Sequence, residues 1–178
     1  MIQPPQVTSA TDCPKAALVV AHPGHELRVF HWMERYKPLY FCITDGSGRG
    51  GQSRVGSTET VLQAVGGTPG SIYGRFTDKD VYKLLLEGRV EVFAQLLPEL
   101  VDAFIREQID IVVGDSPEGM NPTHDICRYL IDAAVVAAEQ VTGRIIANYE
   151  FALDAPPNLA NPELQSRSLW LHLDEEAF

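Results

Sequence analysis

Residues 16–21, Ala-Ala-Leu-Val-Val-Ala, are apolar without interruption and run directly into His22-Pro23-Gly24-His25. An apolar run of this length that stops at a Pro-Gly turn reads as a β-strand buried on both faces. Such strands lie in the middle of parallel sheets, because the helices of βαβ crossovers cover both sides. The residues that follow agree. Val29, Trp32, Met33 and Tyr36 recur at helical spacing, Lys37-Pro38 closes that helix, and Leu39 to Ile43 is a second apolar run. Strand, helix and strand within about 30 residues make a βαβ unit.

The rest of the chain repeats the alternation. A polar, Gly-rich loop from Thr44 to Gly56 leads into a helical stretch ending at Gly66, and Ser71 to Phe76 is a short segment of ambiguous type. Asp78 to Glu87 and Arg89 to Glu107 have helical patterns, the second with Phe93, Leu96, Leu97, Leu100 and Phe104 on one face and Pro98 as a kink or restart. Ile109 to Gly114 is a third strand of the parallel type. Asn121-Pro122 reads as an N-cap followed by proline at the first helical position, opening a helix with Ile126, Leu130, Ala133, Ala134 and Ala137 as its buried stripe. Arg144 to Tyr149 is a further strand and Ser168 to Leu173 a candidate edge strand. The expected fold is a doubly wound, mostly parallel α/β sheet with helices on both faces.

At 178 residues the chain is the size of one domain. We expect a single domain over 15–178 behind a short disordered tail, since Met1 to Pro14 carries three prolines and no apolar stretch that would serve as a signal peptide. Twenty-four acidic residues against 14 basic give a formal charge of −10, which argues against nucleic acid and anionic membranes as partners. No stretch approaches the roughly 18 consecutive apolar residues of a membrane span. Cys13, Cys42 and Cys127 are odd in number and widely spread, which fits neither a disulfide scaffold nor a cysteine zinc site and suggests the reducing cytoplasm.

In open α/β sheets ligands bind beyond the carboxyl ends of the strands. Three strand ends here release polar segments, His22 to His25, Asp45 to Arg54, and Asp115 to His124. His22 and His25, two residues apart across a Pro-Gly turn, can converge on one cation, and His124 in the first turn of a helix can complete the three protein ligands that leave a catalytic zinc site open. Imidazole-rich sets suit zinc first and other divalent transition metals second. A lone histidine at a strand end is otherwise a capping or hydrogen-bonding residue, and His31 and His172 take ordinary structural roles.

The segment Ala17 to Glu26, with Ala21-His-Pro-Gly-His-Glu26, resembles the Ala-His-Pro-Asp-Asp-Glu signature of the LmbE/PIG-L family of zinc-dependent N-acetylglucosaminyl deacetylases. Thr44-Asp45-Gly46 is similar to that family's Thr-Asp-Gly loop, Arg54 to its Arg-containing helix, Asp110 to Val113 to its Pro-Asp-Val-Val strand, and Asn121-Pro-Thr-His124 to its His-Pro-Asp-His motif. The similarity runs from about residue 16 to about 150. It implies a Rossmann-like, LmbE-type fold, zinc ligands at His22, His25 and His124, and removal of an N-acetyl group from an amino sugar or related conjugate. His25 replaces an aspartate ligand of the family, Gly24 stands where its general base falls, and Asn121 stands where its auxiliary histidine falls.

Exchanging an aspartate ligand for neutral imidazole raises the charge of the site by one unit, which acidifies a bound water and lessens the need for a base. Glu26, Asp45, Asp115 and Glu118 are candidate replacement bases, with Asp115 preferred for its place at a strand end; Glu26 also suits an anchor for the turn. Asn121 remains able to stabilise an oxyanion. Arg54 and Arg49 are candidates for a sugar hydroxyl, phosphate or carboxylate of the substrate. Asp45 and Asp78 join them, the latter because the resemblance implies a sugar-binding aspartate there. Three alternatives differ in class: the hydrolase, a metal- and sugar-binding protein without turnover, and a metal-free nucleotide-binding domain using Gly46-Ser-Gly-Arg-Gly-Gly. That last run fits neither the dinucleotide fingerprint nor the Walker pattern. The chain is short for the resembling family, so a second copy of it is expected to supply the missing cleft wall.

Overall fold

The structure is a computed structural model that describes residues 13–154 and 167–171. Five strands form one sheet in the order β3-β2-β1-β4-β5, and every pairing is parallel. The doubly wound α/β expectation holds, with a Rossmann-like strand order. β1 (Ala16–Val20) is central and buried along its whole length, as an uninterrupted apolar run requires. A 3-10 turn (His25–Val29) and α1 (Phe30–Tyr36) lead to β2 (Leu39–Thr44). Lys37 ends α1 in a left-handed conformation with its N–H on Met33 O.

α2 (Val55–Val65) stops at Gly66 and leads to β3 (Thr68–Phe76). The ambiguous segment at 71–76 is thus the end of an edge strand. Its pattern was weak for a physical reason: Ile72 is its one fully buried apolar side chain, Pro69, Gly70 and Gly74 interrupt it, and its register on β2 shifts twice. α3 (Asp78–Leu86) begins with a capping box in which Thr77 and Asp80 satisfy each other's backbone N–H groups. The expected helix at 89–107 is two, α4 (Glu91–Ala94) and α5 (Leu96–Arg106), because Pro98 has no N–H to continue the ladder across Gln95.

β4 (Ile111–Asp115), α6 (Pro122–Thr142) and β5 (Ala147–Phe151) complete the fold. Asn121 caps α6 by accepting the Thr123 N–H, with Pro122 at the first helical position. The buried apolar stripe of α6 is Cys127, Leu130, Ile131, Ala134, Val135 and Ala138; the expected Leu130 and Ala134 belong to it, Ile126 and Ala137 are half-buried, and Ala133 is exposed. Residues 168–171 are not in a strand; 172 and 173 lie outside the described residues, as do His172 and residues 1–12 of the expected tail.

Side chains of β1 alternate between two cores. Ala17, Val19 and Ala21 pack with Leu100, Phe104, Ile131 and Ala134 of α5 and α6. Leu18 and Val20 pack with Trp32, Met33, Leu62 and Val65 of α1 and α2. Each large apolar side chain so buried stabilises the fold by about 1.5–3 kcal/mol relative to exposure. The chain therefore leaves β1 toward one face and the adjacent β4 toward the other. That divergence opens a crevice at their carboxyl ends, the switch point at which ligands bind in such sheets. No helix among the described residues is long and apolar enough to cross a membrane.

Candidate metal centre

The crevice between β1 and β4 holds three imidazoles. His22 and His25 come from the turn after β1, and His124 comes from the first turn of α6, where Asn121 and Pro122 set the start of the helix. Their ring centroids lie 5.2 Å (His22–His25), 5.2 Å (His22–His124) and 4.8 Å (His25–His124) apart. The rings cross at steep angles of 68–86°, so they surround a point instead of stacking.

Behind each ring stands an oxygen that fixes it. Asp115 Oδ2 is 2.8 Å from His25 Nδ1, and Glu118 Oε2 is 3.0 Å from His124 Nδ1. His22 Nδ1 lies 2.7 Å from Thr44 Oγ1 and 2.8 Å from Asp78 Oδ1. The Thr44 contact has hydrogen-bond geometry, whereas Asp78 Oδ1 makes no aligned hydrogen bond and acts by charge. With Nδ1 of every ring engaged by an acceptor, the proton belongs on Nδ1 and the Nε2 lone pairs are left for the crevice. Asn121 Nδ2, 3.3 Å from His22 Nε2, donates to one of them.

Burial, and after it the neighbouring His25, holds His22 down to about 4, although Asp78 pulls the other way, so this ring is neutral at pH 7. For Asp78, burial acts to raise its carboxyl, but hydrogen bonds from Thr44 and the Gly48 N–H together with His22 outweigh it and keep it below the ordinary value. Asp78 is thus ionised, and it also tethers the Gly-rich loop through the Gly48 N–H.

The carboxylates expected to act as bases each accept hydrogen bonds already, although the buried Oδ1 of Asp115 has no partner among the described residues. Asp115 is fully buried behind His25 and is not on the cleft wall; its Oδ2 also takes the Ala21 N–H at 2.8 Å. Glu26 is 1% exposed and accepts from Gly24 N, Tyr40 Oη and Thr58 Oγ1 at 2.7, 3.1 and 2.8 Å, the geometry of an anchor for the turn. Asp45 closes a local turn onto Ser47 N and does not line the cleft. Asp115 and Glu26, expected as catalytic groups, and Asp45, expected as a substrate contact, thus each accept a backbone N–H. In each case neighbouring backbone N–H groups claim the carboxylate first.

The cleft has a volume of about 630 Å³, and its wall brings together His22, His25, Asn121, His124, Asp78, Arg49 and Arg54. Lys79 and Tyr82 of α3 join them. They were not anticipated, because their place depends on how α3 docks beside the loop; the one signal was their position a turn apart, next to Asp78. Three fixed cations, Arg49, Arg54 and Lys79, face one carboxylate, Asp78.

A metal ion fits part of this description. About 5 Å between ring centres is what three imidazoles at roughly 2.0–2.1 Å Zn–N distances in tetrahedral directions require. As the side chains stand, however, no group of three or more His, Cys, Asp or Glu among the described residues is assembled to hold a metal ion. The oxygens at Nδ1 leave Nε2 of His22, His25 and His124 as the nitrogens that would hold such an ion. No protein-family model matches the chain, and no curated protein matches it.

Proposed function

We propose that the protein is a metal-dependent hydrolase of the LmbE/PIG-L type, with zinc as its metal, that removes an N-acyl group from an amino sugar or related small conjugate. The observation that carries this reading is the triangle of His22, His25 and His124, each ring backed at Nδ1 by an oxygen of Thr44 and Asp78, of Asp115, or of Glu118. Carboxylate-backed imidazoles are the habitual ligand arrangement of zinc, and three of them without a thiolate form a catalytic set. Zinc held there supplies Lewis acidity, which polarises an acyl carbonyl and brings the pKa of water toward about 7.

The chain's own residues divide the remaining work. Asp115 and Glu118 orient His25 and His124, and Glu26 holds the turn that carries His22 and His25. Asn121 Nδ2, beside His22 Nε2, is placed to donate to an oxyanion at the cleft. Among the described residues Asp78 is the one carboxylate on the wall, and its oxygens face His22 and the Gly48 N–H. We place the protein in the cytoplasm, where the free thiols of Cys13, Cys42 and Cys127 persist.

The occupied state of those carboxylates favours a second reading, a protein that binds metal and sugar without turnover. Metal analysis and a panel of N-acyl amino sugars separate the two. The expected result is stoichiometric zinc uptake, lost in His22→Ala, together with hydrolysis of at least one panel member. Stoichiometric metal with no turnover across the panel would favour the second reading, and failure to take up zinc or any divalent transition metal would sink both.

A further inference from the structure

The basic side chains of this acidic protein are not distributed evenly in their pairing. Among the described residues Arg75 pairs with Glu99, Arg89 with Glu91, Arg106 with Glu107, Arg128 with Asp132 and Arg144 with Asp110. Lys15, Arg28, Arg35, Lys37, Arg49, Arg54, Lys79 and Lys83 have no such carboxylate among the described residues, and of these Arg49, Arg54 and Lys79 are gathered in one place. All three face the histidine cleft.

Next to that cleft the Gly-rich loop encloses a second hollow of about 500 Å³, lined by Ser47, Arg49, Gln52, Ser53, Arg54 and Ser57 with loop glycines. Among the described residues its wall contains donors and no carboxylate. Gly48, Arg49 and Arg54 line both hollows, so the two are continuous. The loop is also shaped around one of its arginines. Arg54 Nε donates to Gly46 O at 2.7 Å, and Gly46, at φ 67°, has no room for a side chain, since a Cβ there would stand 2.9 Å from Arg54 Nε and 2.9 Å from Pro23 Cδ. A guanidinium held by one edge in this way offers its remaining N–H groups as a fixed fork.

We propose that this loop, with Lys79, is an anion-binding subsite joined to the histidine cleft, and that the anion is a phosphate or carboxylate carried by the substrate. The subsite rests on the loop and its unpaired cations. That its anion belongs to an N-acyl amino sugar rests on the function proposed above. Both oxyanions offer the acceptor geometry that a forked donor and hydroxyls take, and burying them against unpaired arginines costs no existing ion pair. The N-acyl group would then lie toward the histidines and the anionic end toward the loop.

Calorimetry on chelator-treated and zinc-loaded full-length protein tests this with four probes: N-acetylglucosamine, its 6-phosphate, N-acetylmuramic acid as the carboxylate, and inorganic phosphate. At least one charged sugar is expected to bind about tenfold or more tightly than the neutral parent, with the preference weakened by added salt. Arg49→Gln combined with Arg54→Gln should remove that preference, read as the ratio of charged-sugar to neutral-sugar affinity; Arg49→Gln alone, at an exposed position, should lower it in part and guards against a folding defect. Equal affinities for neutral and both charged sugars, a preference that survives the double change, or binding of inorganic phosphate alone would overturn the proposal. Zinc uptake is measured on the same samples. Lost uptake with the anion preference intact would defeat the hydrolase reading and leave the subsite standing, whereas deacetylation without any anion preference would defeat the subsite alone.

Discussion

One carboxylate oxygen, Asp115 Oδ2, lies 2.8 Å from His25 Nδ1 and 2.8 Å from the backbone nitrogen of Ala21. The last residue of β4 thereby grips both a candidate ligand and the end of the neighbouring central strand. Because Asp115 is wholly buried, the grip is unscreened by solvent and sets both the tautomer and the direction of the His25 ring. This geometry suits Asp115 to a positioning role, whereas its place at a strand end suggested a base.

The two roles predict different outcomes for Asp115→Asn. A positioning role lowers zinc affinity, by roughly 10–100-fold, as loss of a ligand-orienting carboxylate does elsewhere. A base role leaves affinity alone and lowers kcat. Chelator competition for zinc, with cobalt absorption as a second report on the ligand set and circular dichroism as a check on folding, distinguishes them; unchanged metal affinity in a folded variant would rule out the positioning role.

What the sequence showed clearly was what depends on short-range pattern. Ala16 to Ala21 reads as a buried strand and Asn121-Pro122 as the start of a helix, which sets His22, His25 and His124 at strand and helix ends from local pattern alone. What it hid depends on packing between distant segments. Ala133 and Ala137 look as apolar as Ala134 and Ala138, and only the contact of α6 with β1 and α5 decides which pair is inside. Likewise, nothing local shows that the Asp45 carboxylate turns back to Ser47 N while Asp78, more than 30 positions later, reaches the Gly48 N–H and His22.

Thr77 and Asp80 exchange side-chain and backbone hydrogen bonds at the start of α3, the helix that brings Asp78, Lys79 and Tyr82 to the cleft. Thr77→Ala should destabilise the protein by about 1 kcal/mol, read as a lowered urea midpoint with unchanged slope. The Thr77 hydroxyl and backbone N–H hold the Asp80 carboxyl below its ordinary value of 3.8. Its contribution is therefore present above that unfolded value and lost as pH falls through the lower folded one. In Thr77→Ala this part of the acid dependence should flatten. An unshifted midpoint at neutral pH would remove the cap from the list of stabilising contacts.

Arg128 is 3% exposed on α6 and reaches β5, with Nη1 donating to Tyr149 O at 3.2 Å and Nη2 to Asn148 Oδ1 at 2.6 Å. Asp132 Oδ1 lies 2.8 Å from the same Nη2. Arg128→Ala strands the Tyr149 carbonyl and opens a cavity, at an expected cost of about 3 kcal/mol. Arg128→Met fills the space, and because Arg128 Nε has no partner among the described residues, it should cost clearly less. Equal losses for the two variants would mean that the charge, and not the volume, holds β5 in place.

Gly24 is where the resembling family carries its general base, and reinstating an aspartate is the obvious attempt to raise activity. The backbone argues against it. Gly24 sits at φ 102° and ψ −18°, outside the range an aspartate adopts without strain, while its N–H is bonded to Glu26 Oε2 at 2.7 Å and cannot easily turn. A Cβ at this position would also lie 3.6 Å from Arg54 Nη1, so a carboxylate would pair with the guanidinium instead of facing the cleft. Gly24→Asp should thus lower stability by roughly 1–3 kcal/mol, weaken binding of charged sugars and give no gain in kcat. A Gly24→Asp protein as stable as the parent and faster on an N-acyl sugar would show that the turn has kept room for the missing base, and that the Gly24–Arg54 contact is incidental.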